Sequence, residues 1–562
     1  MAKSAGSRGE PEMRILGAAI ENDVHVAGLV HFLRLAEEAG HVTINLGPTV
    51  PIGKVLQEVK RQDARMVALS YRLTSSVAEE IFRRLKQEIL ELQLEDRIFV
   101  FGGTPPVAEE ARRSGLFQAV FSGHEPVEEI RAFLRGDPAA GDAEILPQTL
   151  AERVAARSPV PLLRHHFGLP SLEDTVEGAR RIAESGLLDI LSLGPDQNAQ
   201  ESFFRRQEMD LARDGAGGVP LRREEDLERI HDATRCGNYP LLRCYAGTRD
   251  LVRWGKLLER TIHNAWGAVP IFWYSQLDGR SQRPLQQAIE ENLEAMRWYA
   301  AHQVPLEIND VHQWSLRYAP DAVAVADAYL CAHVAHRLGV QSYVAQYMFN
   351  TPPETDPIHD LGKMLAQKEM VESFRDDRFQ PLHMIRAGLM QFSANPFIAK
   401  GQLAASTAIG LELEPQIIHV VGYCEADHAI QPEELIESLQ IAQGVWRTLA
   451  EGRPRLAADR RVQRRRGELL REARLILERI RTLGRSSPDP FLDPQILVLA
   501  VERGLLFAPH VLHEKYRQDR WITTTAGGCC RSARADSGKS LPESERVGEA
   551  QIPSSPTSLD EC

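Results

Sequence analysis

The chain has 562 residues, a length that suggests several domains or one module followed by a barrel. Hydrophobic residues make up 43% and charged residues 26%, which is the balance of a soluble globular protein. The formal net charge of −12 argues against a nucleic-acid partner. No apolar stretch approaches the roughly 20 residues that cross a bilayer, and the start lacks the apolar core of a signal peptide. We therefore expect a cytoplasmic protein without a membrane partner.

The first folded stretch alternates strands and helices. Residues 1–12 are predicted to be flexible, and residues 14–20 form an apolar run that predicts a buried parallel strand. An amphipathic helix follows, and Gly40 is placed to end it. The rhythm repeats five times across residues 13–137. It predicts a flavodoxin-like, doubly wound parallel sheet of the α/β class.

The loop after the first strand carries Asp23 and His25. Open α/β sheets bind ligands at the carboxyl ends of their strands, where this loop is expected. Asp23 can accept a hydrogen bond from one ring nitrogen of His25 and make the other more basic towards a metal. Gly28 would let a bulky group approach the start of the helix. Taken alone, these residues fit a surface histidine beside an Asx turn equally well.

The pattern Asp-x-His-x-x-Gly resembles the signature of cobalamin-binding domains of the mutase and methionine synthase type. Two further signals of that family follow in order, each after its own strand: Ser70, with Thr74 close behind, and then Gly102-Gly103. The resemblance implies that His25 is the lower ligand of cobalt. The residues implied to bind the cofactor are Asp23, His25, Gly28, Ser70, Thr74, Gly102 and Gly103.

One residue departs from the family pattern, and one further residue is a weaker candidate. Arg72 stands where the family usually has leucine, in the expected lining of the pocket for the nucleotide tail. His124 lies in the loop after the fifth strand and could border the same tail.

The rest of the chain is predicted to hold a linker, a barrel and a tail. Residues 138–160 are polar and open with Gly, Pro and Asp, which is typical of a linker. Longer strand–helix units across residues 161–515 predict a (β/α)8 barrel as the substrate domain, with an eighth strand poorly marked. Residues 523–562 are predicted to be a disordered tail. The strands nominated for the barrel are 188–193, 241–245, 269–274, 306–309, 343–347, 382–386 and 417–421.

Polar side chains cluster at the predicted ends of these strands, as a catalytic barrel mouth requires. Arg243 and Arg386 are our candidates to bind a carboxylate, because a guanidinium binds it through two parallel hydrogen bonds. Glu307 is the candidate to hold an amino group or to accept a proton. His312 is a candidate acid or base, with a purely structural loop contact as the alternative.

Residues 421–438 resemble the barrel of the large subunit of glutamate mutase, and a looser resemblance covers most of residues 160–450. It implies an adenosylcobalamin-dependent, radical carbon-skeleton mutase acting on a small carboxylate or amino acid. Here the cobalamin module comes first, whereas the two modules of glutamate mutase are usually separate chains. The alternatives are a corrinoid-dependent methyltransferase and a non-catalytic cobalamin-binding protein. The oligomeric state stays open, with a homodimer among the alternatives.

Overall fold

The computed structural model of the chain describes residues 13–123, 125, 130, 131, 133, 134, 147–245, 247–387, 391–450 and 452–550. It divides into two compact units, Met1–Ala143 and Glu144–Cys562. None of the described helices is both long enough and apolar enough to span a membrane.

The first unit is a five-stranded parallel sheet with the order β2-β1-β3-β4-β5. This is the flavodoxin-like order, so the predicted fold of the first unit is confirmed. Its strands are β1 Arg14–Ala19, β2 Val42–Asn45, β3 Met66–Ser70, β4 Ile98–Gly102 and β5 Ala119–Phe121. Its fully described helices are α1 Ala27–Glu38, α2 Ile52–Gln62, α3 Ser75–Glu91 and α4 Pro105–Ser114.

Strand β3 is buried along its whole length. Successive side chains of a strand point to opposite faces, so Val67 and Leu69 join one apolar cluster while Met66 and Ala68 join another. Burial on both faces explains why this strand is a continuous apolar run. The register pairs Ser70 with Gly102, so the loops after β3 and β4 leave the sheet at the same edge.

The second unit contains eight parallel strands in the order β8-β7-β6-β13-β12-β11-β10-β9. The amide of Ala265 donates to Leu242 O over 2.8 Å and links the two end strands, so the barrel is nearly closed. This confirms the predicted (β/α)8 architecture. The strands are β6 Leu162–Phe167, β7 Ile190–Leu193, β8 Leu241–Cys244, β9 Gly267–Ala268, β10 Leu306–Glu307, β11 Ser342–Met348, β12 Gln380–Arg386 and β13 Ile417–His419.

Helices accompany the barrel strands and continue beyond the last of them. Up to β13 they are α5 Leu150–Arg157, α6 Leu172–Glu184, α7 Gln197–Ser202, α8 Glu224–Ala233, α9 Leu251–Ile262, α10 Leu285–Ala301, α11 Asp310–Leu316, α12 Asp321–Arg337, α13 Pro357–Glu372 and α14 Pro396–Gly410. After β13 come α15 Pro432–Ala450, α16 Arg460–Leu483, α17 Pro494–Glu502, the two-stranded antiparallel sheet of β14 Trp521–Thr524 and β15 Arg531–Arg534, and α18 Glu543–Glu549.

The strand nominated at residues 269–274 is wrong. The strand at this place, β9, is only Gly267–Ala268. Pro270 has no amide hydrogen for a strand ladder, and the amides of Ile271 and Phe272 donate to the carboxylate of Asp310 instead. The residues after β9 therefore form a loop at the carboxyl end of the barrel.

The linker prediction is wrong for part of its range. Helix α5 occupies residues 150–157, and Arg153 on it is fully buried. The guanidinium of Arg153 donates to the carbonyls of Pro147 and Tyr239, over 2.7 and 2.9 Å. Arg153 therefore joins the segment that was predicted to be a linker to the barrel through these hydrogen bonds.

The disordered-tail prediction is wrong for residues 523–550, and residues 551–562 lie outside the described part of the chain. Arg546 within this segment is buried, and so is Trp521 just before it. The guanidinium of Arg546 bonds Glu543, with Nε to Oε2 at 2.8 Å, and donates to Gly504 O. A few long-range contacts of large side chains order a segment whose composition is typical of disorder.

Candidate functional site

The loop after β1 holds an acid–imidazole pair. Asp23 is fully buried, and its Oδ1 lies 2.7 Å from His25 Nδ1 and accepts the His25 amide over 2.9 Å. Its Oδ2 accepts the amide of Arg72 over 2.6 Å, which ties the loop to the one after β3. The His25 side chain is 51% exposed. Because Asp23 accepts the Nδ1 proton, the lone pair of Nε2 is left for a ligand.

A cavity of about 410 Å³ opens at the carboxyl edge of the same sheet, between the start of α1 and the ends of β3, β4 and β5. Gly28 and Gly102 line it, and a Cβ at either position would meet no atom within 4 Å. Side chains at these glycines would therefore project into open space that a ligand can use. Gly103 differs, because its Cβ would lie 2.7 Å from Tyr71 O. Glycine at position 103 allows the backbone there to pack closely against the carbonyl of Tyr71.

The structure gathers most, but not all, of the predicted cofactor residues around this cavity. Gly28, Ser70, Gly102 and Gly103 line it, and Asp23 and His25 connect to it through the amide of Arg72, which also lines it. Thr74 is exposed at the start of α3 and does not line it. His124 lies outside the described residues. The lining residues that the sequence reasoning missed include His31, Phe32, Thr104, Phe121 and Glu125.

Glu125 organises the far end of the cavity. Burial alone would raise the pKa of its carboxyl group, but the hydrogen bonds from the amide and hydroxyl of Ser122 and from the amide of Gly123 outweigh burial and lower the pKa to about 2. Ser122 donates from N over 2.8 Å and from Oγ over 2.8 Å. The ionised carboxylate therefore holds the loop after β5 in place.

A buried ion pair lies inside the barrel of the second unit. Arg243 on β8 and Glu307 on β10 are both buried, with Nη2 and Oε2 separated by 3.1 Å. Trp266 Nε1 donates to the same Oε2 over 2.8 Å. The structure thus brings two of the predicted substrate residues into direct contact. Glu307 Oε1 is left for a further cation or donor.

Arg164 on β6 is a second buried guanidinium in this interior. Its Nε donates to Ser192 Oγ over 2.8 Å, its Nη1 lies 2.6 Å from His419 Nδ1, and its Nη2 contacts His166 Nε2. Burial, followed by repulsion from Arg243, lowers the pKa of Arg164 to about 9. Within the described part of the chain, no carboxylate forms an ion pair with this side chain.

Arg386 lies at the carboxyl end of β12 and is half-buried. Its Nε is buried without an acceptor, and no described residue pairs with its guanidinium. Burial, together with repulsion from Arg386 and Arg164, lowers the pKa values of His312 and His419 well below their usual range. Both imidazoles are therefore neutral, and they add nothing to the positive charge of Arg386 and Arg164.

His312 is on α11 and is joined to the same group. Gln346 Nε2 lies 2.8 Å from His312 Nδ1, and Gln346 Oε1 lies 3.5 Å from His419 Nδ1. Sequence reasoning missed Arg164, His166 and His419. Arg164 and His166 are two residues apart on β6 and so point to one side of the strand, a spacing that identifies them once that strand is recognised.

The comparisons identify the first unit. The B12 binding domain family matches residues 13–131, which span the described sheet and the cavity. The first unit is therefore a cobalamin-binding domain, and a (β/α)8 barrel follows it. No curated protein matches the chain.

Solved structures give only weak likenesses. A cobalamin-binding protein from Desulfitobacterium hafniense DCB-2 is 26% identical with a TM-score of 0.18; the match covers 19% of this chain and 52% of that chain, about half its length. A phospho-2-dehydro-3-deoxyheptonate aldolase from Thermotoga maritima is 10% identical over 51% of this chain and 69% of its own, with a TM-score of 0.25. The cobalamin-dependent S-adenosylmethionine radical enzyme OxsB is 10% identical over 87% and 70%, with a TM-score of 0.20. With all TM-scores below 0.5, these likenesses carry no inference.

Proposed function

We propose that the chain is an adenosylcobalamin-dependent carbon-skeleton mutase that rearranges a small carboxylate or amino acid. The cobalamin-binding domain of the first unit and the charge balance inside the barrel support this proposal. The excess of arginines over carboxylates on the barrel strands is the observation that favours a substrate with a carboxylate group.

The residues of the first unit fit the cofactor. His25 would bind cobalt through Nε2, with Asp23 holding Nδ1 at 2.7 Å. The open space at Gly28 and Gly102 would accept the nucleotide tail in the cavity of about 410 Å³. When bound, adenosylcobalamin supplies a carbon radical that abstracts a substrate hydrogen.

The eight barrel strands carry three arginines and one carboxylate. Arg164 and Arg243 are buried, Arg386 is half-buried, and Glu307 is the carboxylate that pairs with one of them. A buried charge without a partner is costly. A substrate carboxylate at Arg386 or Arg164 would offset that cost and would receive charge-assisted hydrogen bonds.

The remaining groups suit radical chemistry on such a substrate. Glu307 Oε1 can bind a substrate ammonium group, because the contacts of Arg243 and Trp266 use Oε2. The neutral imidazoles of His166, His312 and His419 can hydrogen-bond a substrate without adding charge. A guanidinium binds a carboxylate firmly without offering a hydrogen atom that a radical abstracts easily. Arg164, Arg243 and Glu307 are each at most 2% exposed, which keeps bulk water from these groups.

The test is a screen of dicarboxylic and amino acids with the full chain reconstituted with adenosylcobalamin. The proposal predicts a substrate that exchanges labelled hydrogen with the cofactor and produces a substrate-dependent paramagnetic signal. The variant Arg386→Gln tests the proposed substrate contact. It should bind the cofactor normally but lose the exchange of hydrogen between substrate and cofactor. Turnover of methylcobalamin with a thiol or pterin would instead indicate a corrinoid-dependent methyltransferase. Cofactor binding without any turnover would indicate a non-catalytic cobalamin-binding protein.

A further inference from the structure

Three potential metal ligands converge where the loop after β13 meets the first turn of α15. Cys424, His428 and Glu434 each offer one ligand atom, and these atoms all lie within 4.8 Å of one another. His428 Nε2 is 2.8 Å from Glu434 Oε1, and Cys424 Sγ is 3.4 Å from Glu434 Oε2. The cluster belongs to the second unit and shares no residue with the cobalamin-binding domain.

The local backbone brings these residues together. The amides of Asp427 and His428 donate to Cys424 O over 2.8 and 2.9 Å, which folds the loop into a tight turn. The amide of Gln431 donates to Glu434 Oε2 over 3.0 Å at the start of α15. The three side chains are therefore held at the same place by the turn and by the first turn of the helix.

We propose that Cys424, His428 and Glu434 bind a divalent cation of the zinc type. Thiolate, imidazole and carboxylate are the three side-chain ligands of zinc, with bonds of about 2.0–2.3 Å. Tetrahedral bonds of that length place neighbouring ligand atoms about 3–4 Å apart. The separation of 3.4 Å between Cys424 Sγ and Glu434 Oε2 lies in that range, and that of 2.8 Å between His428 Nε2 and Glu434 Oε1 is close to it.

A second contact orients the histidine for such a metal. His428 Nδ1 lies 2.9 Å from Asp427 Oδ2, so the carboxylate fixes the ring with Nε2 directed towards Glu434. This is the arrangement of carboxylate, histidine and metal that supports many zinc sites. Within the described residues, no lysine or arginine forms an ion pair with Glu434, and Lys400 pairs with Glu437 instead.

The exposure of the ligands indicates an open coordination position. Cys424 is buried at 6% exposure, whereas the side chains of Glu434 and His428 are 24% and 48% exposed. Three protein ligands with one solvent-facing side are typical of a zinc ion that keeps water or an exchangeable anion as its fourth ligand. The site would thus give the chain a metal ion besides cobalt, at the carboxyl end of the last barrel strand.

The experiment uses the full chain, purified without corrinoid and stripped of metal with a chelator. Titration with Zn²⁺ against a chromogenic competitor should show one tight site per chain. Co²⁺ as a spectroscopic substitute should give thiolate-to-metal charge-transfer absorption. Cys424→Ser should abolish that absorption, and Glu434→Gln should weaken Zn²⁺ binding at least tenfold. Asp427→Asn, which leaves all three ligands in place, should weaken it by about 10–100-fold.

The controls separate this site from other metal-binding groups. Cys236→Ser alters a half-buried thiol elsewhere in the same unit, and His25→Ala alters the proposed cobalt ligand. Both should retain full Zn²⁺ binding, and circular dichroism checks that every variant is folded. Absence of a tight Zn²⁺ site in the folded wild type would overturn the proposal. So would Zn²⁺ binding that is unchanged in folded Cys424→Ser.

Discussion

Asp23 is completely buried, yet the imidazole that it holds 2.7 Å away, that of His25, is half-exposed. The same carboxylate accepts the amide of Arg72 from the neighbouring loop, so the pair is anchored to two strands of the sheet. A firmly held Nδ1 and an exposed Nε2 are what a histidine needs to serve as a metal ligand. The cobalamin-binding domain thus presents its proposed cobalt ligand in an oriented form.

Filling the cavity should block cofactor binding without unfolding the domain. Gly28→Leu and Gly102→Leu would each project a side chain into the cavity, since a Cβ there meets nothing within 4 Å. We expect cobalamin affinity to fall at least tenfold, measured by absorbance titration. The matched control is Gly444→Leu, an exposed position on α15 with equally free space. Normal cofactor affinity in Gly28→Leu would show that the cavity is not the binding site.

Two arginines of the barrel should respond differently to the same change. Arg243→Gln leaves buried Glu307 without its cationic partner, which typically costs about 3–5 kcal/mol. Arg386→Gln removes a guanidinium that no described residue pairs with and whose Nε is buried without an acceptor, so we expect no loss of unfolding free energy. Urea unfolding followed by tryptophan fluorescence measures this, because all seven tryptophans lie in the second unit. A large loss of stability in Arg386→Gln would contradict its role as a free anion-binding group.

Stability should fall with rising pH because of Glu259 on α9. Burial raises the pKa of its carboxyl group from 4.5 to about 7, against a smaller opposing effect of His302. The folded state therefore keeps a proton that the unfolded state has released, so this contribution to stability is fully present below pH 4.5 and is lost as the pH rises to about 7. With allowance for solvent screening, the loss should be on the order of 1 kcal/mol. Glu259→Gln should lack it in urea unfolding at pH 5 and pH 8; an equal pH dependence in both proteins would contradict the assignment.

The segment from Trp521 to Ala550 should contribute to the stability of the second unit. Trp521 is 2% exposed and packs against Phe507 with ring centroids 5.9 Å apart. Trp521→Ala should lower the free energy of unfolding by about 3–5 kcal/mol. Ile522, the next residue on the same strand, is 40% exposed, and Ile522→Ala should change stability by no more than about 0.5 kcal/mol. Equal, small effects in urea unfolding would mean that the segment does not pack as described.

The first unit could be predicted from sequence because its signals are local. Apolar runs such as residues 66–69 are buried on both faces, and Ser70 and Gly102, which end two neighbouring strands, are paired at one edge of the sheet. Asp23 and His25 are two residues apart, so their contact follows from the sequence alone. Thr74 does not line the cavity, since it lies beyond the strand end, at the start of α3.

The features that the sequence did not reveal depend on contacts between distant residues. Strand β6 carries Arg164, His165 and His166, which interrupt the apolar run that marks a buried strand. Their burial is explained by partners on other strands, such as His419, 255 residues further on. The C-terminal segment is likewise ordered by Arg546 and Trp521, whose partners no local pattern indicates. The contact of Arg243 with Glu307 also required the barrel to be closed.

Paramagnetic resonance of bound cobalamin in its Co(II) form measures whether His25 binds cobalt. We expect nitrogen splitting that changes from triplets to doublets when the histidines of the protein carry ¹⁵N. That splitting should be absent in His25→Ala and retained, with weaker cofactor binding, in Asp23→Asn. Triplets that persist with labelled protein, together with an unchanged spectrum in His25→Ala, would show that the nitrogen belongs to the cofactor and that His25 does not bind cobalt.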